Sequence, residues 1–112
     1  MTEDLLRSVR SVLLVDWPSP DVPDTLRAAG YEVYVKNGPG PDDFDPARPD
    51  HVDLVYSHRP LVELPGIVAA AAQLGAKAVW LQTGSDEARE IVESAGLRYV
   101  DEPYIADAVR SL

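Results

Sequence analysis

Four short polar stretches carry the side chains in this sequence that could do chemistry, and each follows an apolar run of strand length. Ser57-His58-Arg59 combines a hydroxyl, an imidazole and a guanidinium, and Lys36-Asn37 adds an ammonium and an amide. Cationic side chains of these types hold anions such as phosphate groups. We predict no catalytic and no metal-binding residue. The candidate binding residues are Asp16, Trp17, Pro18, Ser19, Lys36, Asn37, Ser57, His58, Arg59, Gln82, Thr83 and Gly84.

A β-α-β unit in the middle of the chain would bring two of these polar stretches together. Val52–Tyr56 and Ala78–Leu81 are apolar runs of strand length, and Leu61–Leu74 between them is long enough for a helix. Two strands joined by a helix run parallel, and ligands of parallel sheets bind beyond the carboxyl ends of the strands. We therefore expect Ser57–Arg59 and Gln82–Gly84 to lie at the same edge of a sheet.

The remaining segments continue this alternation of strands and helices. Trp17–Pro23 has three prolines in seven residues, which predicts a loop that cannot be helical, and Asn37–Asp50 is predicted to be a long loop. Further strands are predicted over Ser11–Asp16, Tyr31–Lys36 and Leu97–Asp101. Further helices are predicted over Glu3–Arg10, over Thr25–Ala29 with Asp24 as its N-cap, over Asp86–Ala95 with Ser85 as its N-cap, and over Tyr104–Leu112.

This order of elements predicts an α/β fold of the Rossmann-like type. We expect a three-layer sandwich around a five-stranded parallel sheet, because alternating strands and helices bury a parallel sheet between two helical layers. A strand order of 3-2-1-4-5 is expected, with the winding direction changing between the first and fourth strands. The 112 residues are expected to form one domain, over residues 1–112.

Composition excludes several classes of function. The formal net charge of −9 argues against binding to duplex nucleic acid or to anionic membranes. The absence of cysteine excludes disulfides, thiolate metal sites and thiol nucleophiles. No apolar run is long enough to span a bilayer, and the first residues lack a signal-peptide pattern, so we expect a cytoplasmic protein.

The sequence resembles a known family at three segments. Ala28–Asn37 is similar to the segment G-Y-x-V-x-x-V-N-P of the small stand-alone CoA-binding proteins, and Val52–Pro60 is similar to the third strand and Arg-containing turn of that family. Leu74–Gly84, with its W-L-Q-x-G ending, is the closest match. The family has a Rossmann-like domain related to the CoA-binding domain of succinyl-CoA synthetase. The resemblance implies non-catalytic binding of CoA or acyl-CoA at the ends of the strands.

The chain departs from this family at the loop after the first strand. The family has a small-residue G-A-S loop there that approaches the CoA pyrophosphate, whereas this chain has Asp16-Trp17-Pro18-Ser19. Asp16 adds a charge of the same sign as a phosphate, and Pro18 lacks the N–H that a phosphate needs. We therefore expect weak CoA binding. The Arg-Cys of the family near the last strand is also absent.

Several individual residues have two open interpretations. Arg59 could clamp a phosphate or pair with surface acids, and Lys36 could approach a ribose phosphate or simply end a strand. His58 could donate a proton at the site or be an exposed histidine without a role. Trp17 could cover a pocket, stack on an adenine or contact a partner, whereas Trp80 is expected in the core.

Three other functions of α/β domains require residues that this sequence lacks. A response-regulator receiver needs an Asp after the third strand, where Tyr56-Ser57 stands, and a dinucleotide enzyme needs G-x-G-x-x-G after the first strand. A hydrolase needs a nucleophile, a base and an orienting group, and nothing orients Ser57-His58. The main alternative is a degenerate domain that has lost its nucleotide and acts through contacts with a protein partner or a second copy of itself.

Overall fold

A six-stranded sheet forms the centre of the computed structural model, which describes residues 2–38 and 43–112. The spatial order of the strands is β3-β2-β1-β4-β5-β6. The strands are β1 Ser11–Val15, β2 Glu32–Lys36, β3 Phe44–Asp45, β4 Leu54–Ser57, β5 Ala78–Leu81 and β6 Arg98–Val100. β1 pairs in parallel with both β2 and β4, so the chain changes its winding direction between β1 and β4.

The Rossmann-like α/β fold is confirmed, with two differences in the sheet. The sheet is mixed and six-stranded, because the two-residue strand β3 pairs antiparallel with β2. The observed order 3-2-1-4-5-6 is close to the predicted 3-2-1-4-5. Because β3 was not predicted, the segment predicted as the third strand, Val52–Tyr56, is β4, and it lies between β1 and β5. A strand of two residues shows no hydrophobic periodicity, which is why β3 was missed. Residues 39–42 of the predicted long loop lie outside the described residues.

Helices pack on both faces of the sheet, and nearly all side chains of β1, β4 and β5 are buried. One layer contains α1 Thr2–Ser8, α2 Asp21–Ala28 and α5 Ile105–Arg110, which pack on a core that includes Trp80. The other contains α3 Leu64–Gln73, preceded by the 3₁₀ turn Leu61–Glu63, and α4 Asp86–Ser94. Trp80 is 1% exposed, as predicted for a core residue, and its ring N–H donates to the Pro103 carbonyl at 3.1 Å.

The start of α2 corrects one prediction, and the start of α4 confirms another. α2 begins at Asp21, so the predicted loop Trp17–Pro23 is helical over its last three residues, and Asp24 is not the N-cap. Pro23 fits there because an N–H in the first turn of a helix has no intrahelical partner. In α4 the Ser85 hydroxyl accepts a hydrogen bond from the Ala88 N–H at 3.1 Å, which confirms Ser85 as its N-cap.

One part of the sheet lacks a covering helix. The chain between β2 and β4 contains β3 but no helix among its described residues, so the α3 side of β1 and β2 is only partly covered. Val15, Tyr34 and Phe44 on that side are half-buried. This arrangement leaves a cleft beside α3. None of the helices in the described part of the chain is long and apolar enough to cross a membrane.

Candidate functional site

A cleft of about 790 Å³ lies at the carboxyl ends of β1 and β2, beside the first turns of α3. This is the point where the winding direction of the sheet changes, which is where open α/β sheets bind ligands. Its volume is in the range of small-molecule and cofactor sites. The lining residues are Leu13, Val15, Asp16, Trp17, Val35, Lys36, Asn37, Gly38, Phe44, Val55, Arg59, Val62, Glu63, Gly66, Ile67 and Ala70.

The walls of the cleft are mainly apolar and include small residues of α3. Gly66 and Ala70 are four residues apart, so they lie on the same face of the helix. A Cβ built on Gly66 would meet no atom within 4 Å, so this position borders open space. β1 contributes Leu13 and Val15 to the same wall. The small residues of α3 therefore keep the cleft wide where the helix faces the sheet.

Arg59 forms an ionic cluster with Asp16 and Glu63 at the mouth of the cleft. One Arg59 nitrogen donates to Asp16 Oδ2 at 3.1 Å, while Nε and the other terminal nitrogen donate to Glu63 at 3.1 and 2.6 Å. Hydrogen bonds to Glu63 and then to Asp16 raise the pKa of Arg59, and the bond from Arg59 lowers the pKa of Glu63. The cluster joins the loop after β1 to the segment that leads into α3.

Asp16 has an unusual backbone conformation, with a φ of 66°. Non-glycine residues adopt this left-handed region infrequently, although Asp and Asn do so more often than most. Its Oδ1 accepts a hydrogen bond from the N–H of the next residue, Trp17, at 2.9 Å. The Asp16 carboxylate therefore binds a backbone donor with one oxygen and Arg59 with the other.

The other residues of the first loop have different positions. Trp17 lines the cleft and is half-buried against the core of the α1-α2-α5 layer. Pro18 is exposed, and the Ser19 hydroxyl accepts a hydrogen bond from the Asp21 N–H at 3.3 Å. Neither Pro18 nor Ser19 lines the cleft, so only the first half of the predicted loop site contributes to it.

Lys36 and Asn37, two of the predicted binding residues, line the cleft at the end of β2. The Lys36 ammonium lies 4.8 Å from the centre of the Phe44 ring, and the Arg48 guanidinium lies 5.9 Å from it. The Asn37 N–H donates to the Asp43 carbonyl at 3.0 Å, which joins the end of β2 to the residue before β3. β3 therefore places the Phe44 ring beside the Lys36 ammonium of β2 at this edge of the cleft.

Ser57 and His58 do not line the cleft. Ser57 is 2% exposed, and its hydroxyl has no hydrogen-bond partner among the described residues. His58 is exposed, and its backbone N–H donates to the Val15 carbonyl at 3.2 Å. Of the three polar residues predicted after β4, the structure places only Arg59 at the cleft.

Gln82, Thr83 and Gly84 also lie outside the cleft lining. Gln82 accepts a hydrogen bond from the Tyr56 hydroxyl at 2.6 Å. Burial raises the pKa of this hydroxyl, and the nearby Tyr104 and Asp16 raise it further. Thr83 is exposed. A Cβ on Gly84 would overlap the Tyr99 hydroxyl and the Asp101 carboxylate, so glycine permits this close contact. These residues form contacts within the protein at the end of β5.

Sequence reasoning missed most of the apolar cleft residues. Phe44 belongs to the short strand β3, and Gly66, Ile67 and Ala70 belong to a helix that was interpreted only as packing on the sheet. Glu63 was missed although it is four residues after Arg59, the spacing of a helical ion pair. The sequence predicted no helix between the second and third strands. This gap could have indicated that part of one sheet face is left uncovered.

The chain matches a sequence family described as CoA binding domain over residues 14–106. This range contains all the described residues that line the cleft except Leu13. No curated protein matches the chain significantly.

Solved structures with similar folds cover nearly the whole chain. A hypothetical protein from Pyrococcus horikoshii OT3 is 25% identical, with a TM-score of 0.76 over 100% of this chain and 92% of that chain. A protein described as redesigned for binding is 23% identical, with a TM-score of 0.78 over 98% of this chain and 88% of that one. A conserved hypothetical protein from Pyrococcus furiosus is 23% identical, with a TM-score of 0.66 over 88% and 97% of the two chains.

Proposed function

Because the chain belongs to the CoA binding domain family, we propose that it binds CoA or an acyl-CoA in the cleft beside α3 and catalyses no reaction. The main support is the position of the cleft at the winding switch of the sheet, within the part of the chain that matches the family. The positions of Ser57 and His58 also support a binding role without catalysis. A hydrolase would use them as nucleophile and base, and neither residue lines the cleft.

The chemistry of the cleft suits the uncharged arm of CoA better than its phosphates. Pantetheine is a chain of methylene, methyl and amide groups, and apolar walls with a few polar groups favour such a chain. Leu13, Val15 and Ile67 are among the apolar walls, and Asn37 supplies a polar group. Among the described lining residues, the cations are Arg59 and Lys36, and the carboxylates of Asp16 and Glu63 oppose them.

Ligand titration tests this proposal. CoA and acetyl-CoA should raise the melting temperature by an amount that grows with the logarithm of their concentration above Kd, because a ligand that binds only the folded state stabilises it by mass action. At a ligand concentration about 100 times Kd the gain is about 2.7 kcal/mol. NAD serves as a control ligand with a similar adenine and pyrophosphate but no pantetheine. If millimolar CoA produces no heat of binding in calorimetry and no change in melting temperature, the proposal is rejected.

The alternative, a domain that acts through protein contacts, is favoured by one specific observation. Val62 is 85% exposed and Leu61 is 40% exposed at the turn beside the cleft, and exposed apolar residues are common at contact surfaces. If CoA does not bind, analytical ultracentrifugation of the wild type and Val62→Asp tests for self-association through this turn. If both proteins are monomers, the hypothesis that the domain associates with a second copy of itself through this turn is rejected.

A further inference from the structure

The Asp16 carboxylate already occupies the hydrogen-bond donors at the end of β1. Its Oδ1 accepts from the Trp17 N–H at 2.9 Å, and its Oδ2 accepts from Arg59 at 3.1 Å. A phosphate bound after the first strand of such a sheet would use these same kinds of donor, a loop N–H and a basic side chain. The protein therefore supplies its own anion at this position.

The local backbone favours this arrangement. The φ of 66° at Asp16 turns the loop so that the carboxylate reaches the N–H of the following residue. Asp and Asn are the side chains that tolerate this conformation by bonding locally. Glu63 strengthens the arrangement from the other side, since it holds the Arg59 Nε and one terminal nitrogen at 3.1 and 2.6 Å. Arg59 thus lies between two carboxylates of the protein.

We infer that Asp16 is a specificity determinant that acts as a built-in anion, so that the cleft accepts the neutral pantetheine arm and disfavours a phosphate at the end of β1. This inference rests on the proposed function and specifies which part of CoA the cleft recognises. The phosphates of bound CoA then lie away from the Asp16–Arg59–Glu63 cluster and add little affinity. A purely structural Asp16, which only fastens the loop to Arg59, would not discriminate between charged and neutral ligands.

Titrations of the wild type and Asp16→Asn with CoA, pantetheine and inorganic pyrophosphate test the inference. Asn keeps the shape and the local hydrogen bond but removes the charge. For the wild type we expect CoA and pantetheine affinities within about threefold of each other. Asp16→Asn should bind CoA about tenfold more tightly, because a phosphate of CoA can then occupy the end of β1, a position from which the carboxylate repels it in the wild type, and a repulsion of this kind corresponds to about tenfold in affinity. Pantetheine affinity should change by less than about twofold, since pantetheine carries no charge.

Glu90→Gln is the matched control. Glu90 is exposed on α4 and does not line the cleft, and its substitution changes the net charge by the same amount. CoA affinity should stay at the wild-type value in this variant. An equal gain in Glu90→Gln and Asp16→Asn would attribute the effect to net charge and overturn the inference.

Inorganic pyrophosphate separates this inference from the proposed function. Asp16→Asn should bind pyrophosphate and the wild type should not, whether or not CoA binds. CoA binding without any gain in Asp16→Asn would overturn the inference and leave the proposed function standing. If neither protein binds pyrophosphate, the inference about Asp16 is also overturned. If the wild type binds neither CoA nor pantetheine, the proposed function is rejected. If Asp16→Asn does not fold by circular dichroism, Asp16→Gly replaces it, because glycine adopts a φ of 66° without strain.

Discussion

Arg59 lies between Asp16 and Glu63, and these neighbours limit what its charge can do for a ligand. The three side chains are each 40–47% exposed, and exposed ion pairs contribute little to stability because water screens them. Among the described residues, the charged side chains lining the cleft are the cations Arg59 and Lys36 and the anions Asp16 and Glu63. Their formal charges cancel, so Arg59 mainly prevents the cleft mouth from being negative.

We expect Arg59→Ala to weaken CoA binding by about 1–3 kcal/mol, because the described lining of the cleft then has a net negative charge towards an anionic ligand. Asp16 and Glu63 lose their cation, and their repulsion acts on CoA phosphates even where these bind away from the cluster. The unfolding midpoint in urea should change little, because the pairs are exposed. Isothermal calorimetry measures the loss, with Arg89→Ala as control, since Arg89 forms an exposed ion pair with Glu93 on α4 and does not line the cleft. Equal CoA affinity in Arg59→Ala and wild type would contradict this role.

The sequence located some cleft residues and not others for a physical reason. Asp16, Lys36 and Arg59 were found because each lies at or just after the end of a strand, and the end of a strand is a position that the hydrophobic pattern reveals. Gln82 and Gly84 also follow a strand, but their contacts with Tyr56, Tyr99 and Asp101 are tertiary and have no sequence signature. The pairing of Arg59 with acids was one of its two interpretations, and the structure shows that pairing.

At the scale of elements, helix α3 forms one wall of the cleft. Its space exists because the described residues between β2 and β4 form no helix that would cover this part of the sheet. The strands and most helices were predictable because each buries a run of apolar residues with its own period. β3 and the first turn of α2 were not, since two residues show no period and proline suggested a loop. Gly66 is the α3 residue at which the cleft can be filled without displacing any atom.

Two substitutions of Gly66 test whether the ligand lies in the cleft. Gly66→Ala should stabilise the fold by up to about 1 kcal/mol, because alanine favours a helix over glycine and its Cβ meets no atom. Gly66→Leu should keep the helix but extend into the cleft and abolish CoA binding. Circular dichroism in urea reports stability, and calorimetry reports binding.

Ala72→Leu is the control for the same helix, because Ala72 is exposed and does not line the cleft. It should leave CoA affinity at the wild-type value. If Gly66→Leu is folded and binds CoA as well as the wild type does, the ligand site lies elsewhere on the protein.

At the scale of the whole molecule, the two ends of the sheet carry different features. The carboxyl ends carry the cleft, and the amino ends carry a hydrogen-bond network centred on Asp53. Its Oδ2 accepts from the N–H groups of Arg10 and Ser11 at 2.8 and 3.3 Å, and its Oδ1 contacts the His51 ring at 2.7 Å. The Lys77 N–H donates to the Asp53 carbonyl at 2.8 Å. Three parts of the chain that are distant in sequence therefore meet at this residue.

The pKa of Asp53 gives this network a defined dependence on pH. Burial opposes ionisation, but the hydrogen bonds from Arg10, His51 and Ser11 outweigh it, so the pKa lies below the usual 3.8. A carboxyl group whose pKa is lower in the folded state stabilises the fold fully above its unfolded-state pKa. This contribution to the free energy of unfolding is lost as the pH falls through the folded-state pKa.

We therefore expect Asp53→Ala to lower the free energy of unfolding by about 1–3 kcal/mol at pH 7, because the exposed N–H of Arg10 and the partly buried N–H of Ser11 lose a charged acceptor. The difference from the wild type should persist down to about pH 4 and shrink below that, as the wild-type carboxyl becomes protonated. Urea unfolding at a series of pH values measures it, and subtracting the two proteins removes the acid response that they share. Asp50→Ala, at an exposed position nearby, should show no such difference. A gap between Asp53→Ala and wild type that stays constant from pH 7 into the acid range would mean that the ionised carboxylate does not hold the amino ends of the sheet together.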